Sequence, residues 1–213
     1  MQVEATKRGR LLVVSGPSGA GKGTLVARAL ECVPSVRRVI TYTTRPPRPN
    51  EQDGCHYHFV TQNEFEQMKK DGAFLEWAMV YDHAYGSPRN EVESLLEKGT
   101  DVVLVLDVQG ALSVKGLYPE STLIFILPPS TEELEKRIRR RGADPEEAIQ
   151  KRLEMAANEM AQTNKFDILI VNDELDKAVA QLIAVFKGSY VPCGAVGENH
   201  PCEVTDEKLD SLK

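Results

Sequence analysis

The chain has 213 residues, of which 41% are hydrophobic and 27% charged, and its formal net charge is -6 at pH 7. These values are typical of a globular protein that buries a core, and the acidic balance argues against broad binding to nucleic acid or anionic membranes. No apolar run is long enough to cross a bilayer or to form a signal peptide. Because the four cysteines contain no C-x-x-C pair, we expect reduced thiols and a cytoplasmic location.

The segment LLVVSGPSGAGKGT predicts a strand, a glycine-rich turn and a helix. The apolar run Leu11–Val14 is typical of a buried parallel strand, and a helical pattern covers Thr24–Leu30. Gly16, Gly21 and Lys22 fit G-x-x-x-x-G-K, the phosphate-binding loop, in which backbone N–H groups and a mobile lysine charge surround an anion. An ordinary glycine-rich turn is the alternative, and this order of elements disfavours it. The predicted phosphate-binding residues are Gly16, Pro17, Ser18, Gly19, Ala20, Gly21, Lys22, Gly23 and Thr24.

The signals for a bound metal are weak. The motif places Ser or Thr directly after its lysine, where the hydroxyl helps to hold Mg²⁺, but this chain has Gly23 there and Thr24 one step later. The resulting G-K-G-T resembles the loop of adenylate kinases. We therefore expect Mg²⁺ to be held mostly through water and phosphate, with Thr24 as a weak ligand. Two sets of residues lack the four-ligand spacing of structural zinc: Cys55, His56 and His58, and Cys193, His200 and Cys202.

The following segment interrupts the alternation of strands and helices. Prolines at positions 46, 47 and 49 exclude regular strand pairing there, and Asp53-Gly54 indicates a turn. The predicted elements are strands over Val36–Tyr42, Tyr57–Val60 and Phe74–Tyr81, a helix from the capping box Thr61-x-x-Glu64 to about Asp71-Gly72, and a turn through Tyr85-Gly86. Together they predict an inserted subdomain over about residues 39–87.

The alternation then resumes to the end of the folded part. The predicted strands are Val102–Leu106, Thr122–Leu127 and Ile168–Val171. One predicted helix has Ser87-Pro88 as N-cap and N1 and ends at Lys98-Gly99. Two more begin at the capping boxes Ser130-x-x-Glu133 and Asp144-Pro145-x-Glu147, and the last covers Glu174–Phe186. Such alternation predicts a parallel sheet with its ligand beyond the carboxyl ends of the strands. We expect Arg139–Gly142 to move as a lid and the chain from Gly188 to be a loose tail.

A second set of residues points to a second phosphate. Arg45 and Arg48 lie in the proline-stiffened stretch, where two guanidinium groups can hold an anion, and Tyr57 and Tyr85 can add hydroxyl donors. Glu76 is unusual because it lies in an otherwise apolar strand. The alternatives are two surface arginines without a function and an outward-facing glutamate on an exposed strand.

The residues also carry a family resemblance. The motifs are TTRPPR (Thr43–Arg48), Tyr57, FLEWA (Phe74–Ala78), YGS (Tyr85–Ser87), DVQG (Asp107–Gly110), PPS (Pro128–Ser130), RG (Arg141-Gly142) and IVND (Ile170–Asp173). Together they resemble guanylate kinase, in that family's order, over about residues 9–187. The resemblance implies an α/β fold with a P-loop NTPase-type three-layer α/β/α core and a parallel sheet, a small mixed β/α GMP-binding insertion and a helical lid. The implied division is core 1–38, insertion 39–87, core 88–137, lid 138–155, core 156–187 and tail 188–213.

The resemblance also implies roles for individual residues. Arg45, Arg48, Tyr57 and Tyr85 would bind the GMP phosphate, and Glu76, Ser87 and Asp107, helped by Thr41, would recognise guanine. Arg137, Arg141 and Arg152 match lid-region arginines that close on the ATP phosphates and act with Lys22 and Arg45 in catalysis. Asn172 matches a position near adenine. The chain departs from the family at Val105, where an acidic residue is usual, so both expected protein contacts to Mg²⁺ are missing or apolar.

The implied reaction is transfer of the γ-phosphoryl group of ATP to GMP, and to dGMP, with Mg²⁺. A carboxylate at position 76 suits guanine, because it accepts the N1–H and N2–H donors, whereas adenine offers an acceptor at N1. Two alternatives stay open: a guanylate kinase-like scaffold module that binds phosphorylated peptides without catalysis, and a kinase for another nucleoside monophosphate. We expect no nucleic-acid or membrane partner, and a monomer or a homodimer.

Overall fold

The computed structural model describes residues 7–49, 51–140 and 146–190. The chain divides into two compact units, one formed by the chain up to Val13 and Pro34–Thr122, the other by Val14–Val33 and the chain from Leu123 onward. The strands are β1 (Leu11–Ser15), β2 (Val36–Arg38), β3 (Tyr42–Thr43), β4 (His58–Phe59), β5 (Phe74–Val80), β6 (His83–Pro88), β7 (Asp101–Val105), β8 (Thr122–Leu127) and β9 (Ile168–Val171). The α-helices are α1 (Lys22–Cys32), α2 (Gln62–Lys70), α3 (Arg89–Glu97), α4 (Val108–Leu117), α5 (Thr131–Arg140), α6 (Glu146–Met160) and α7 (Leu175–Phe186).

The five-stranded sheet has the order β2-β7-β1-β8-β9, and the β2–β7 and β8–β9 pairs are parallel. The predicted α/β class with a parallel sheet is therefore confirmed. Strands β1 and β8 are continuous apolar runs with almost completely buried side chains, as expected of strands covered on both faces, whereas β2 and β9 at the two edges are less buried. No helix in the described ranges is long and apolar enough to cross a membrane.

In the first unit, a four-stranded sheet has the order β4-β3-β6-β5, and three of the predicted site residues lie in its strands: Glu76 in β5, and Tyr85 and Ser87 in β6. Strand β6 is antiparallel to both β3 and β5. Helix α2 begins at the predicted capping box, in which Thr61 and Glu64 exchange hydrogen bonds, and it ends at Lys70. Its Phe65 stacks on Phe74 of β5 with ring centroids 4.5 Å apart, which anchors the helix to this sheet.

Several predicted boundaries in this unit are wrong. The strand expected over Val36–Tyr42 is two separate strands, β2 and β3, and Tyr85-Gly86 lies in the middle of β6 instead of a turn. The hairpin turns earlier, where Tyr81 has a positive φ of 53°. Helix α3 begins one residue later than predicted, with Pro88 as its N-cap. Ser87 is not a cap because it pairs with Glu76 across the hairpin and gives its hydroxyl hydrogen to that side chain.

Helix α4 is absent from the predictions because its sequence shows little amphipathic periodicity and contains Gly110 and Gly116. Its N-cap is Asp107, whose side chain accepts a hydrogen bond of 3.0 Å from the Gly110 N–H. The predicted end of α3 at Lys98-Gly99 is confirmed, since Lys98 is the C-cap and Gly99 adopts a φ of 79°.

In the second unit, β1 leads into a glycine-rich turn and then α1, which begins at Lys22, two residues before the predicted pattern. The Ser130 hydroxyl accepts a hydrogen bond from the Glu133 N–H at the start of α5, as predicted. Helix α7 begins directly after its N-cap Glu174. The predicted connection Arg139–Gly142 starts too early, because α5 continues through Arg140. Its last two residues lie outside the described residues, as do Asp144 and Pro145, the tail beyond residue 190, and the set Cys193, His200 and Cys202.

Candidate functional site

The glycine-rich turn (residues 16–21) has a backbone that only glycine adopts easily at three positions. Gly16, Gly19 and Gly21 have φ values of 134°, 97° and 93°. A Cβ at Gly16 would overlap the Ile126 carbonyl oxygen of β8, and one at Gly21 would overlap the Asn172 side-chain amide. Helix α1 has no side-chain cap at its N-cap Gly21. Its first N–H groups are therefore not satisfied by a capping side chain, as in phosphate-binding loops.

Lys22 lies at the start of α1 and folds back over the glycine-rich turn. Its Nζ donates to the carbonyl oxygens of Gly16 and Pro17, the latter at 3.1 Å. The ammonium group is thus held at the same turn that presents the N–H groups of α1. This arrangement places a positive charge where a polyphosphate would bind.

Asn172, directly after β9, bonds to the glycine-rich turn, and Arg137 of α5 bonds to Asn172. The buried Asn172 amide donates to the Ala20 carbonyl oxygen at 2.7 Å. Arg137 donates to the Asn172 carbonyl oxygen at 3.3 and 3.4 Å, and its Nε donates to Glu133 at 2.9 Å. Arg152 lies half-buried on α6, and Arg141 is outside the described residues. Asn172 is therefore tied to the turn itself, a contact that the sequence did not reveal.

Three of the four residues predicted to recognise guanine lie side by side: Thr41, Ser87 and Glu76. We call these three residues the carboxylate row. Tyr42 of β3 lies opposite Gly86 of β6, so Thr41 comes beside Ser87, and Ser87 lies opposite Glu76 of β5. Their exposed fractions are 5%, 0% and 6%. The Ser87 hydroxyl donates to Glu76 Oε1 at 2.6 Å. Glu76 therefore faces inward, and the exposed residues of this strand are Trp77 and Met79.

The environment of Glu76 favours its neutral form. Burial raises the pKa of Glu76 to about 7, although the Ser87 hydrogen bond acts against this, and the Asp107 charge raises it further. Helix α4 approaches so closely that a Cβ at Gly110 would lie 2.9 Å from Glu76 Oε2. A carboxylate held in a buried polar row with a pKa near neutrality is typical of a functional site.

The four residues predicted to bind the second phosphate lie together with Glu51, and we call the five residues the arginine cluster: Arg45, Arg48, Tyr57, Tyr85 and Glu51. Arg45 Nε donates to the Tyr85 hydroxyl at 3.2 Å, and its guanidinium lies 5.5 Å from the ring centroid of Tyr57. The rings of Tyr57 and Tyr85 pack edge to face. Arg45 is mostly buried, whereas the Arg48 side chain is half exposed. Of the two predicted arginines, Arg45 therefore has a mostly buried guanidinium, and Arg48 has a more exposed one.

Glu51 is the member of this cluster that sequence reasoning missed. Its carboxylate accepts two hydrogen bonds of 2.9 Å from Arg45 Nη2 and one of 2.9 Å from the Arg48 N–H. Burial acts to raise the pKa of Glu51, but the bonds from Arg48 and Arg45 lower it below its usual value. The sequence feature that could have predicted this contact is an acidic residue three positions after Arg48 in a stretch that otherwise carries arginines.

The described residues offer few ligands for a metal. A Cβ at Gly23 would meet nothing within 4 Å, so the position has room for the motif's Ser or Thr but carries no ligand atom. Thr24 is exposed on α1, and Val105 ends β7 without a carboxylate. Over the described ranges, no group of three or more His, Cys, Asp or Glu residues is suited to hold a metal ion. Of the three positions 23, 24 and 105, only Thr24 therefore offers a side-chain oxygen to a metal ion.

Comparison with known proteins assigns these features to one family. The family model described as Guanylate kinase matches residues 8–188. The guanylate kinase of Caldanaerobacter subterraneus subsp. tengcongensis is 49% identical over 179 residues, covering 84% of this chain and 87% of that protein. A guanylate kinase of Thermus thermophilus is 48% identical over 191 residues, covering 90% of this chain and 86% of that protein.

A solved structure shows the same similarity in three dimensions. The crystal structure of guanylate kinase from Anaplasma phagocytophilum matches with a TM-score of 0.74 and 29% sequence identity, covering 88% of this chain and 89% of that one. The sequence and structural matches agree in family and span most of the chain. The chain belongs to the guanylate kinase family.

Proposed function

We propose that this chain is an ATP:GMP phosphotransferase that transfers the γ-phosphoryl group of ATP to GMP, and to dGMP, to give GDP or dGDP and ADP. The observation that carries the proposal is the buried carboxylate row, in which Glu76 is held by Ser87. Membership of the guanylate kinase family and the glycine-rich turn with Lys22 support ATP as the phosphoryl donor.

The carboxylate row accounts for a preference for guanine. The ionised Glu76 accepts the N1–H and N2–H donors of guanine, while adenine would place an acceptor at N1 against the carboxylate. The Ser87 hydroxyl hydrogen is already given to Glu76. We therefore assign donation to guanine O6 to the buried hydroxyl of Thr41, and a supporting contact to Asp107 at the start of α4.

The reaction needs charge neutralisation more than proton transfer. The attacking oxygen of GMP is already ionised, so no general base is required, and the barrier comes largely from bringing two polyanions together. We propose that Lys22, with Arg137, Arg141 and Arg152, binds the ATP phosphates and that Arg45 and Arg48 bind the GMP phosphate. Mg²⁺ bound with ATP would neutralise further phosphate charge, with Thr24 as its weak protein ligand. Asn172 would position the turn through Ala20 and lie near adenine.

The division of the chain into core, insertion, lid and tail is also part of the proposal. Residues 39–87 would act as the GMP-binding insertion and 138–155 as the lid, between the core segments 1–38, 88–137 and 156–187, with 188–213 as the tail. We also propose a cytoplasmic location, since Cys32 and Cys55 in the described ranges are free thiols. Light scattering would distinguish the monomer from the homodimer.

One coupled assay separates the candidate functions. Purified protein with ATP and Mg²⁺ is offered GMP, dGMP, AMP, CMP and UMP, and ADP formation is measured. Turnover with GMP and dGMP alone supports the proposal. Turnover with another acceptor would indicate a different nucleoside-monophosphate kinase. No turnover with any acceptor would indicate the non-catalytic, phosphopeptide-binding alternative, which the retained Lys22 disfavours.

Arg45→Ala is expected to raise the KM for GMP by roughly 10- to 100-fold, because it removes a charge-assisted contact to the phosphate. The KM for ATP should change less than about threefold. Steady-state kinetics against each nucleotide measures both. Arg37→Ala is the matched control, since Arg37 is an exposed arginine on β2. An unchanged KM for GMP in Arg45→Ala would refute the assignment of the phosphate site.

Val105→Asp is expected to lower the Mg²⁺ concentration needed for half-maximal rate, because it restores an acidic residue at the end of β7. The ratio of GMP to AMP turnover should stay the same. A magnesium titration of the rate tests this, with Val105→Asn as a control of similar size and no charge. Identical titrations for the wild type and the Asp variant would count against a metal-facing position 105.

A further inference from the structure

Glu51 occupies the Nη2 edge of the Arg45 guanidinium. The side chains of Arg45 and Glu51 are only 12% and 14% exposed, and both carboxylate oxygens accept from Arg45 Nη2. The same carboxylate also accepts from the Arg48 N–H, and the Arg48 Nη1 lies 4.0 Å away. A single internal anion is thus bonded to both arginines of the cluster.

The donors of Arg45 are nearly all in use. An arginine has five N–H donors. In Arg45, Nε donates to Tyr85, Nη1 donates to the Pro46 carbonyl oxygen at 2.7 Å, and Nη2 donates twice to Glu51. A phosphate that approaches Nη2 of this guanidinium therefore competes with the Glu51 carboxylate, which has both oxygens on that atom. Glu51 is the partner that carries a negative charge, so repulsion from a phosphate dianion acts on it most strongly.

Two hydrogen bonds join Glu51 to the backbone of Arg48, one through the carboxylate, which accepts from the Arg48 N–H, and one through the Glu51 N–H. The Glu51 N–H donates to the Arg48 carbonyl oxygen at 2.9 Å, which closes the turn independently of the side chain. When the carboxylate rotates away, it gives up the bond from the Arg48 N–H, and the bond from the Glu51 N–H still holds the turn. The neighbouring Arg48 side chain is 52% exposed, so a displaced Glu51 carboxylate can turn towards solvent on that side.

We propose that Glu51 is an intramolecular competitor of the acceptor phosphate and sets the affinity of the arginine cluster for anions. This inference rests on the proposed function. Binding of GMP displaces Glu51 from Arg45, and part of the phosphate interaction offsets the loss of that ion pair. A free anion without a nucleoside lacks the additional contacts in the carboxylate row and does not displace Glu51 effectively. The pair thereby makes the site selective for a phosphate attached to guanosine.

The test compares three ligands by isothermal titration calorimetry: GMP, guanosine and inorganic phosphate. The proteins are the wild type, Glu51→Gln and the matched control Glu66→Gln, which removes an equal charge from exposed α2. We expect Glu51→Gln to lower the Kd of GMP about 5- to 20-fold, to leave that of guanosine within about twofold, and to bind inorganic phosphate measurably more tightly. Glu66→Gln should match the wild type with all three ligands.

The opposite results are equally clear. If Glu51→Gln binds guanosine normally but binds GMP no more tightly than the wild type, Glu51 positions Arg45 instead of competing, and the inference is overturned. If Glu51→Gln does not fold, Glu51→Asp takes its place. Its side chain is one methylene shorter, which weakens the ion pair with Arg45, so tighter GMP binding supports the inference, and equal or weaker binding overturns it.

The same measurements keep this inference apart from the proposed function. If guanosine and GMP bind the wild type equally, and Arg45→Ala weakens neither, the arginine cluster is not the acceptor-phosphate site and the proposed function fails there. If Arg45→Ala weakens GMP but not guanosine, while Glu51→Gln does not tighten GMP, only the role of Glu51 is refuted.

Discussion

Lys22→Ala is expected to lower kcat by about 10²- to 10³-fold or more, the largest single loss among the variants of the donor site. The Lys22 ammonium lies over the glycine-rich turn, bonded to carbonyl oxygens that a phosphate can replace as partners. Its charge is needed most when negative charge moves between the two phosphates, so the effect should appear in kcat more than in the KM for GMP. Single-turnover measurement of ADP formation separates the chemical step from product release.

The control for this variant is Lys177→Ala, which removes an exposed lysine paired with Glu174 on α7. It should keep the wild-type kcat. Lys22→Arg is a second comparison, because it retains the charge but has a larger, planar group that fits the tight turn poorly. Retention of more than about a tenth of the wild-type kcat in Lys22→Ala would be inconsistent with a phosphate-binding role for the turn.

Glu76→Gln is expected to reduce kcat/KM for GMP by about 10²-fold and to narrow the gap between GMP and AMP. The amide replaces one accepting oxygen with an N–H donor, which would face the donors of guanine in a buried row. Competition assays with mixed GMP and AMP measure the ratio directly. Glu93→Gln, on the half-exposed surface of α3, is the control for loss of a carboxylate. Unchanged discrimination in Glu76→Gln would exclude position 76 from base recognition.

The same substitution should stabilise the fold at alkaline pH. The pKa of Glu76 is about 7 in the folded protein, because of burial first, against an ordinary value of 4.5. Between these values the folded state binds more protons than the unfolded state, so stability falls as pH rises from about 4.5 to 7. At pH 8 the wild type carries the full cost of a buried ionised carboxylate. Glu76→Gln should therefore unfold with a higher free energy, by up to about 3 kcal/mol.

Urea denaturation at pH 4.5 and pH 8 tests this expectation. The two proteins should differ little at pH 4.5 and clearly at pH 8. A second readout is the KM for GMP of the wild type, which should fall as pH rises through 7, because only the ionised Glu76 accepts both guanine donors. If the stabilities of the wild type and Glu76→Gln have the same pH dependence, the carboxylate does not titrate near neutrality.

Features governed by local sequence were predictable. The strand–turn–helix order at Lys22 was predicted from an apolar run followed by glycines, and the Thr61–Glu64 capping box and the end of α3 at Gly99 follow from residue types at fixed short spacings. The helix α4 was missed for a related reason. Its pattern is set by burial against neighbouring elements, and its two glycines are helix breakers by propensity alone.

Features that join distant residues were decided by the tertiary structure. The sequence and its family resemblance placed Glu76, Ser87 and Thr41 in one site, but the register of β3, β6 and β5 decided that Ser87 donates to Glu76 instead of capping a helix. A one-residue change of register would turn these side chains to the other face of the sheet.

By itself, then, the sequence determined the fold class and the strand–turn–helix order at Lys22, and it named candidate residues for the chemistry, whose roles stay predictions. Only the tertiary structure decided their partners: Glu51 on Arg45, and the Asn172 amide on Ala20. The physical reason is that residue spacing governs contacts within one turn or strand, whereas contacts between elements depend on packing. Burial also sets the charge state of Glu76, because desolvation depends on surrounding atoms that come from several elements.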